Sequence, residues 1–315
     1  MITRDVEHYY ETLCKTQWLA ASELRELQDE KLRRLVRHAY RNVPYYRRKM
    51  QALGLHPEDI RGQADLAKLP LLSKAEVQQH LHFDIMSENH DKAQVLRVST
   101  SGSTGEPFVC YADRAQLEFR WAATLRSQEW TGYRFGDPSV RLWHQTIGLS
   151  ARQAARERAD AELSNRTLVP VFELTDHNLE KTLRQMAQVK PVLMDGYAEA
   201  FHLLAEWALA HGYTGVRPRA IQSSAQMLTR PSRARIEEAF GCRVFDKYGS
   251  REFSGVAYEC EAHAGHHVVA EGYVVELLTH GEPTRPGEVG EVVIWISTTI
   301  ACPSSVTASG TSPKP

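Results

Sequence analysis

Short apolar runs alternate with amphipathic segments from about residue 95 onward, and this alternation constrains the fold more than any other feature. Apolar residues at helical spacing predict helices over Arg114–Thr131, Asp176–Val189, Ala198–His211 and Arg230–Phe240. The apolar runs between them predict strands, and strands that alternate with helices are typical of a partly parallel α/β sheet. From Gly255 to Ile294 the helix signals weaken and we predict antiparallel strands.

The N-terminal part has a different pattern. Ser22 can cap a helix with a continuous apolar stripe that breaks at Pro44, since proline disfavours helix in the residue before it. A proline-broken connector, Leu69–Lys74, leads to a helix that Ser73 can cap. We therefore divide the chain into an N-terminal helical segment (1–75), an α/β core (76–294) and a polar tail (295–315).

Composition narrows the class of protein. The 315 residues carry a net charge of −1, which provides no bulk field for nucleic acid or an acidic membrane. The chain has neither a bilayer-length apolar stretch nor a secretory leader, and its five cysteines are scattered and odd in number. We expect a cytoplasmic protein with reduced thiols and without nucleic-acid or membrane partners.

A loop dense in glycine and hydroxyl groups lies between two strand-like runs, from Val98 to Pro107. Glycines let the backbone approach a phosphate closely, and amides and hydroxyls can donate hydrogen bonds to its oxygens. The candidate phosphate-binding residues are Ser101, Gly102, Ser103, Thr104 and Gly105. The loop lacks the Gly-Lys-Ser/Thr ending of a Walker A motif, and a flexible hairpin loop is the alternative.

A second segment, Asp246–Phe253, combines an aromatic residue, a glycine and an acid. Tyr248 beside Gly249 offers a flat face suited to stacking a base, and Ser250 follows. Glu252 offers a hard oxygen ligand for magnesium. The alternative is a strand end that carries a surface Arg–Glu pair.

Taken together, the motifs Ser101-Gly-Ser-Thr-Gly-x-Pro107 and Tyr248-Gly-Ser-x-Glu252 resemble those of the adenylate-forming superfamily, within its phenylacetate–CoA ligase branch and the capsule-biosynthesis-associated relatives. The segments Leu35–Tyr46 and Leu69–Lys74 are similar to that branch too, as are the pairs Gly196-Tyr197 and Glu259-Cys260. The resemblance covers roughly residues 20 to 294. It implies an α/β fold: the large N-terminal domain of such an enzyme, with mixed sheets flanked by helices and without the small C-terminal lid domain.

The resemblance also implies roles for single residues. Ser101, Gly102, Ser103, Thr104 and Gly105 would hold the phosphates of ATP, and Ser224, Ala225 and Gln226 would line the adenine pocket, although the family often carries an acid where Gln226 stands. Tyr248, with Gly249 and Ser250, would stack on adenine. Glu252 would bind Mg²⁺, and Glu252 and Thr104 are the catalytic candidates. Gly196, Tyr197, Trp143 and His144 are candidates for the wall of the acid pocket, with core packing favoured for Trp143.

The implied reaction joins a small carboxylic acid, such as an aryl acid, to AMP with loss of pyrophosphate. Transfer of the acyl group to coenzyme A usually follows. A truncated fragment or pseudoenzyme that at most binds nucleotide is the alternative. A phosphate-binding NTPase module is disfavoured by the missing Walker lysine. The acid, the final acceptor and the oligomeric state stay open, with a homodimer as one option.

A thiol and three imidazoles cluster between Cys260 and His267. Such groups bind zinc, and we take Cys260, His263 and His267 as candidate Zn²⁺ ligands. The usual second Cys-x-x-Cys pair is missing, so a histidine-rich surface loop is the alternative.

The tail after Ile294 departs from the resemblance. Its apolar pattern stops, and Ser, Thr and Pro take over as in disordered segments. The family continues instead with a segment like NYxMPxIRYRxGD, which supplies an aspartate for ribose and an arginine near phosphate. The tail can be encoded by a set of codons that has a second reading. When its bases are translated from the last base of the Trp295 codon, they give DLNNYRMPFIRYRIGDIAKA. The tail residues fix most second and third bases of that reading, whereas its first bases are largely free.

We therefore predict a frameshift at or near Trp295, natural or from a sequencing error. Sequencing the source DNA across the codons for residues 290 to 315 checks this, because the wobble bases must then encode the family segment in the shifted frame. Wobble bases that do not spell it would establish a genuine polar C-terminus.

Overall fold

The computed structural model describes residues 5–81, 84–99, 108–143, 151–171, 174–175, 177–297 and 305–308. The chain forms two compact units. The parallel-sheet unit comprises the described residues of 124–249 and 257–267, and the helical unit comprises those of 5–123, 250–256 and 268–308. Within the described residues, no helix is both long and apolar enough to cross a membrane.

The α-helices of the described residues, in chain order, are α1 (Val6–Thr16), α2 (Ala21–Asn42), α3 (Pro44–Ala52), α4 (Lys74–His80), α5 (Arg114–Glu129), α6 (Ala151–Leu163), α7 (Leu179–Val189), α8 (Ala198–Ala210) and α9 (Arg230–Phe240). The strands are β1 (Leu96–Ser99), β2 (Val109–Ala112), β3 (Ser139–Trp143), β4 (Arg166–Pro170), β5 (Leu193–Tyr197), β6 (Ala220–Ser224), β7 (Arg243–Ser250), β8 (Ser254–Glu259), β9 (His266–Val268), β10 (Tyr273–Thr279), β11 (Glu282–Pro283), β12 (Glu291–Ile296) and β13 (Ser305–Ala308).

A seven-stranded sheet with the order β4-β3-β5-β6-β7-β8-β9 runs through the parallel-sheet unit. Its first five strands pair in parallel. One face of these strands packs on α7, α8 and α9 through a core that includes Val140, Ile221, Val244 and Phe201. Helices and a mixed sheet confirm the predicted α/β class, and parallel pairing follows from the strand–helix alternation.

The helical unit contains two smaller antiparallel sheets. Strands β1 and β2 form a hairpin, and β11-β10-β12-β13 form a four-stranded sheet. The face of β10 and β12 packs on α2 in a core that includes Leu32, Val36, Val293 and Trp295. The predicted antiparallel pairing after Gly255 is confirmed for β10 and β12.

Helix boundaries follow local chemistry. Helix α9 has the predicted bounds, and Thr229 caps it by accepting a hydrogen bond from the Ser232 amide at 3.2 Å. Ser73 caps α4 as predicted, because its hydroxyl accepts a hydrogen bond from the Glu76 amide. The expected cap at Ser22 is wrong: α2 begins at Ala21, and the Glu23 carboxylate accepts the Ala20 amide hydrogen at 2.8 Å.

Trp295 and Ile296, the first two residues of the predicted tail, are the last residues of β12 and are buried. Residues Ser305–Ala308 form β13, which pairs antiparallel with β12, Trp295 facing Ser305 and Val292 facing Ala308. Over these four residues the chain has regular structure where the composition predicts disorder. Backbone pairing accounts for this, since an unpaired strand edge accepts any chain that offers its amides and carbonyls.

The core of the parallel-sheet unit offers a stability test with a matched control. Phe201 is fully buried and Phe135 is 61% exposed. We expect Phe201→Ala to lower the free energy of unfolding by about 3–5 kcal/mol, because a large cavity replaces the ring. Phe135→Ala should change it by less than about 0.5 kcal/mol. Urea titrations followed by circular dichroism measure both, and equal losses would contradict this packing.

Candidate functional site

The glycine- and hydroxyl-rich loop connects the two strands of a hairpin. Strand β1 ends at Ser99, β2 begins at Val109, and these two residues face each other in the ladder. The predicted strand-like runs on both sides of the loop are therefore confirmed. Residues 100–107 lie outside the described residues, and with them the candidates Ser101, Gly102, Ser103, Thr104 and Gly105.

In the parallel-sheet unit, the candidate adenine-pocket residues lie where parallel strands end. Tyr197, Ser224 and Lys247 are register partners on β5, β6 and β7. Ser224 is the last residue of β6, so Ala225 and Gln226 follow at the carboxyl edge of the sheet, the edge at which α/β folds bind ligands.

The turn after β6 has a specific conformation. Ala225 has φ 68°, in the left-handed region that non-glycine residues rarely adopt. The Gln226 side-chain oxygen accepts a hydrogen bond from the Glu199 amide at 3.0 Å, in the first turn of α8. Gln226 thus stands where the resemblance predicts an acidic residue, and its amide oxygen is hydrogen-bonded to α8.

Gly196 is required by strand packing. A Cβ atom there would lie 2.3 Å from the Leu142 carbonyl oxygen on the neighbouring strand. Tyr197 packs its ring against Trp143, with ring centroids 4.6 Å apart. The Gly-Tyr pair therefore has a local structural cause, while His144, its proposed neighbour, lies outside the described residues.

Tyr248 is the next residue of β7 after Lys247. Its ring is half-buried, and burial raises the pKa of its phenol. The ring thus stays neutral at physiological pH and offers a flat, sheltered surface. Gly249 follows without a side chain, which leaves the backbone beside the ring open.

The candidate zinc ligands do not form a metal site. Within the described ranges, no group of three His, Cys, Asp or Glu side chains is placed to hold a metal ion. His263 contacts Glu259 at 3.4 Å, whereas Cys260 lies 3.2 Å from His267 Nε2. Cys260 contacts His267 while His263 pairs with Glu259, so the described residues give no support to the prediction that Cys260, His263 and His267 bind zinc together.

Arg233 organises the same region. Its guanidinium donates two hydrogen bonds to Glu259, at 2.8 and 2.9 Å, and the second carboxylate oxygen also accepts the Asp246 amide. His266 in turn lies 3.3 Å from the Asp246 carboxylate. These contacts join β7 to β8 just before Tyr248, so Glu259 and Asp246 have a structural role there.

In the helical unit, Glu252 is almost fully buried and forms an ion pair with Lys74 at 3.0 Å. Burial alone would raise the pKa of the Glu252 carboxyl, but the neighbouring Ser250 hydroxyl and the Lys74 ammonium hold it below its usual value. Arg120 donates a hydrogen bond to the Glu252 carbonyl oxygen and fixes the backbone. The carboxylate is therefore ionised and anchored, which suits a hard-metal ligand.

Sequence reasoning missed Lys74. It stands at the first position of α4, directly after the Ser73 cap, and its ammonium also lies 5.4 Å from the centre of the Phe108 ring. Phe108 is the first described residue after the glycine-rich loop. The Ser73 cap is predictable from the sequence and fixes where α4 begins. No local pattern in the sequence predicts that Lys74 pairs with Glu252, 178 positions later.

Comparisons with known proteins agree with this fold. No protein-family model matches the chain. It is 31% identical over 297 residues to the phenylacetate-coenzyme A ligase of Aromatoleum evansii, covering 89% of this chain and 64% of that protein. The phenylacetate-coenzyme A ligase of Escherichia coli (strain K12) is 30% identical over 300 residues, covering 90% and 65%.

Among solved structures, an open conformation of 2-hydroxyisobutyryl-CoA ligase aligns with a TM-score of 0.75 at 19% identity. The alignment covers 92% of this chain and 65% of that one. The likeness confirms the fold. The chain thus spans a little under two thirds of the length of these relatives.

The ion pair gives a test of the site's electrostatics. Lys74→Met should lower the free energy of unfolding by about 1–3 kcal/mol at pH 7, because the buried Glu252 charge loses its partner. The folded-state pKa of Glu252 lies below its usual value of 4.5, so the pair stabilises the protein above that pH and loses its effect as the pH falls through the folded-state pKa.

Urea titrations between pH 3 and pH 7 measure this, with the exposed Lys92→Met as the matched control. The difference between Lys74→Met and the wild-type chain should shrink at the acidic end. A loss that does not depend on pH would assign the effect to packing rather than to charge.

Proposed function

We propose that this chain forms the nucleotide- and acid-binding part of an ATP-dependent acid–CoA ligase of the phenylacetate–CoA ligase-like family, two members of which are 30% and 31% identical to it. In the proposed reaction, a carboxylate oxygen attacks the α-phosphorus of ATP and pyrophosphate leaves. The sulfur of coenzyme A then attacks the acyl carbon of the adenylate, and AMP leaves.

The anchored Glu252 carboxylate is the single observation that carries this proposal. It is buried, ionised and held through its backbone and its side chain, four positions after Tyr248. An ionised carboxylate that is withdrawn from solvent and paired with one flexible ammonium fits Mg²⁺ as a hard oxygen ligand. Bound Mg²⁺ would supply neutralisation of the phosphate charge that grows as pyrophosphate departs.

The other residues orient the nucleotide. Tyr248 would stack its half-buried ring on adenine, with Gly249 and Ser250 beside it, and the backbone of Ser224, Ala225 and Gln226 would border the base. The loop residues Ser101, Gly102, Ser103, Thr104 and Gly105 would donate hydrogen bonds to the phosphates. Thr104 is proposed with Glu252 to act at the reacting phosphate.

Lys74 would serve the same site from α4. Its ammonium neutralises the Glu252 carboxylate while phosphate is absent. Because the Lys74 side chain is 39% exposed, it has freedom to turn toward an incoming polyphosphate. A positive group released in this way would contribute to the electrostatic stabilisation of departing pyrophosphate.

A second candidate is a fragment or pseudoenzyme that binds nucleotide and does not turn over. It is favoured by the predicted frameshift near Trp295. Loss of the ribose and phosphate contacts that the shifted reading encodes would weaken nucleotide binding.

Exchange of labelled pyrophosphate into ATP separates the two candidates. The enzyme proposal expects exchange by the 315-residue chain that depends on an added carboxylic acid. Glu252→Gln should reduce this exchange at least about 100-fold, because a neutral amide is a poor ligand for Mg²⁺. The exposed Glu58→Gln is the matched control and should leave it unchanged.

Nucleotide binding without exchange in the wild-type chain would establish the fragment view. Exchange that Glu252→Gln does not reduce would remove Glu252 from the site. ATP hydrolysis without any acid would instead support an NTPase.

A further inference from the structure

The face of the parallel sheet that is turned away from α7, α8 and α9 carries polar side chains next to an apolar cluster of Tyr133, Leu193, Ala220 and Phe245. Side chains alternate across a strand, so the neighbours of the core residues point to the opposite face. On β3, Val140 and Leu142 belong to the core, and Arg141 therefore projects to the other face.

A layer of charged and amide groups crosses this face. Arg141 on β3 faces Asp195 on β5, and Asp195 faces Gln222 on β6. The Arg141 Nε atom lies 3.3 Å from the Asp195 carboxylate. On β7, Lys247 is the register partner of Ser224 and places its ammonium 5.5 Å from the centre of the Tyr258 ring. All of these residues belong to the parallel-sheet unit.

Several of these groups are buried without a hydrogen-bond partner. Among the described residues, no partner is found for Gln222 Nε2, for the Ser139 hydroxyl or for the Tyr133 hydroxyl, and these side chains are only 1–2% exposed. The second oxygen of Asp195 is also unpartnered. A buried polar group left unpaired is destabilising. Gln222 Nε2 is a donor and the two hydroxyls can donate, so an acceptor bound at this face would satisfy them.

The net charge of these groups is positive, which also favours a negatively charged ligand. Lys247 interacts electrostatically with two other cations, Arg141 and Arg166, and with one carboxylate, Asp195. Burial and then the two arginines lower the pKa of Lys247 to about 8, and Asp195 opposes them. The residue as a whole keeps some exposure, but its ammonium is enclosed and is mainly protonated at neutral pH. An enclosed ammonium without a carboxylate of its own favours an anion from outside the chain.

We propose that this layer selects an acid with a second anionic group, and that Lys247 and Gln222 bind that group. The substrate class is therefore dicarboxylic acids, with one carboxylate activated at the strand edge and the other held on the sheet face. Gln222 precedes Ser224 by two positions on the same side of β6, which is about 7 Å along the strand. This inference rests on the proposed function, because that function places the reacting carboxylate at the edge.

A matched pair of acids tests the proposal: phenylacetate and 4-carboxyphenylacetate, which differ by one anionic group. The neutral 4-methylphenylacetate controls for size. Calorimetry measures the binding of each acid to the full 315-residue chain with α,β-methylene-ATP and Mg²⁺ present. We expect 4-carboxyphenylacetate to bind at least tenfold more tightly than either neutral acid.

Substitutions test which residues cause the preference for the dianionic acid. In Lys247→Met the ratio between the affinities for 4-carboxyphenylacetate and phenylacetate should fall to within threefold of one. Gln222→Leu should reduce the ratio in part, and it serves as the second variant if Lys247→Met does not fold. Lys181→Met makes the same chemical change at an exposed position of α7 and should keep the wild-type ratio.

The outcomes separate this inference from the proposed function. Equal or tighter binding of phenylacetate, or an unchanged ratio in both Lys247→Met and Gln222→Leu, overturns the dicarboxylate class and leaves acid activation standing. Binding of the nucleotide analogue without binding of any acid overturns both. A preference for the dianion that disappears with Lys247 supports the proposal.

Discussion

The parallel backbone pairing of β3, β5, β6 and β7 is the constraint on which the rest of the site depends. It brings residues from distant parts of the chain to one edge of the sheet and fixes which of them are neighbours. Gly196 shows how tight this pairing is, because even one methyl group there would collide with the Leu142 carbonyl. The strand ends determine where residues lie, and the segments that follow the strands carry the proposed binding residues.

The two units of the chain carry groups that suit ligands of opposite charge. The helical unit holds an ionised Glu252 against a single ammonium, an arrangement that suits a cation and phosphate. The sheet face around Lys247 has more positive than negative groups and more donors than acceptors, an arrangement that suits an anion. The proposed acid activation would use both, because Mg²⁺ needs an oxygen ligand and an anionic acid needs a positively charged partner.

Much of the fold was predictable from local patterns. Apolar spacing located α5, α7, α8 and α9 to within a few residues, because burying one stripe of a helix requires that spacing. Contacts between distant residues were not predictable in this way. The pairing of Lys74 with Glu252 and that of His263 with Glu259 both depend on which partner competes best in three dimensions. Proximity in sequence suggested a zinc site that Glu259 and Arg233 replace with ion pairs.

The pairing of β13 with β12 has a consequence for how the chain tolerates change. Ladder hydrogen bonds join main-chain atoms, so they are indifferent to the codons that specified the side chains. If the reading frame does shift at residue 295, an unselected peptide has covered the open side of β12. Backbone pairing can thus tolerate a changed sequence near the end of a sheet, whereas recognition of a ribose or a phosphate needs particular side chains and would be lost.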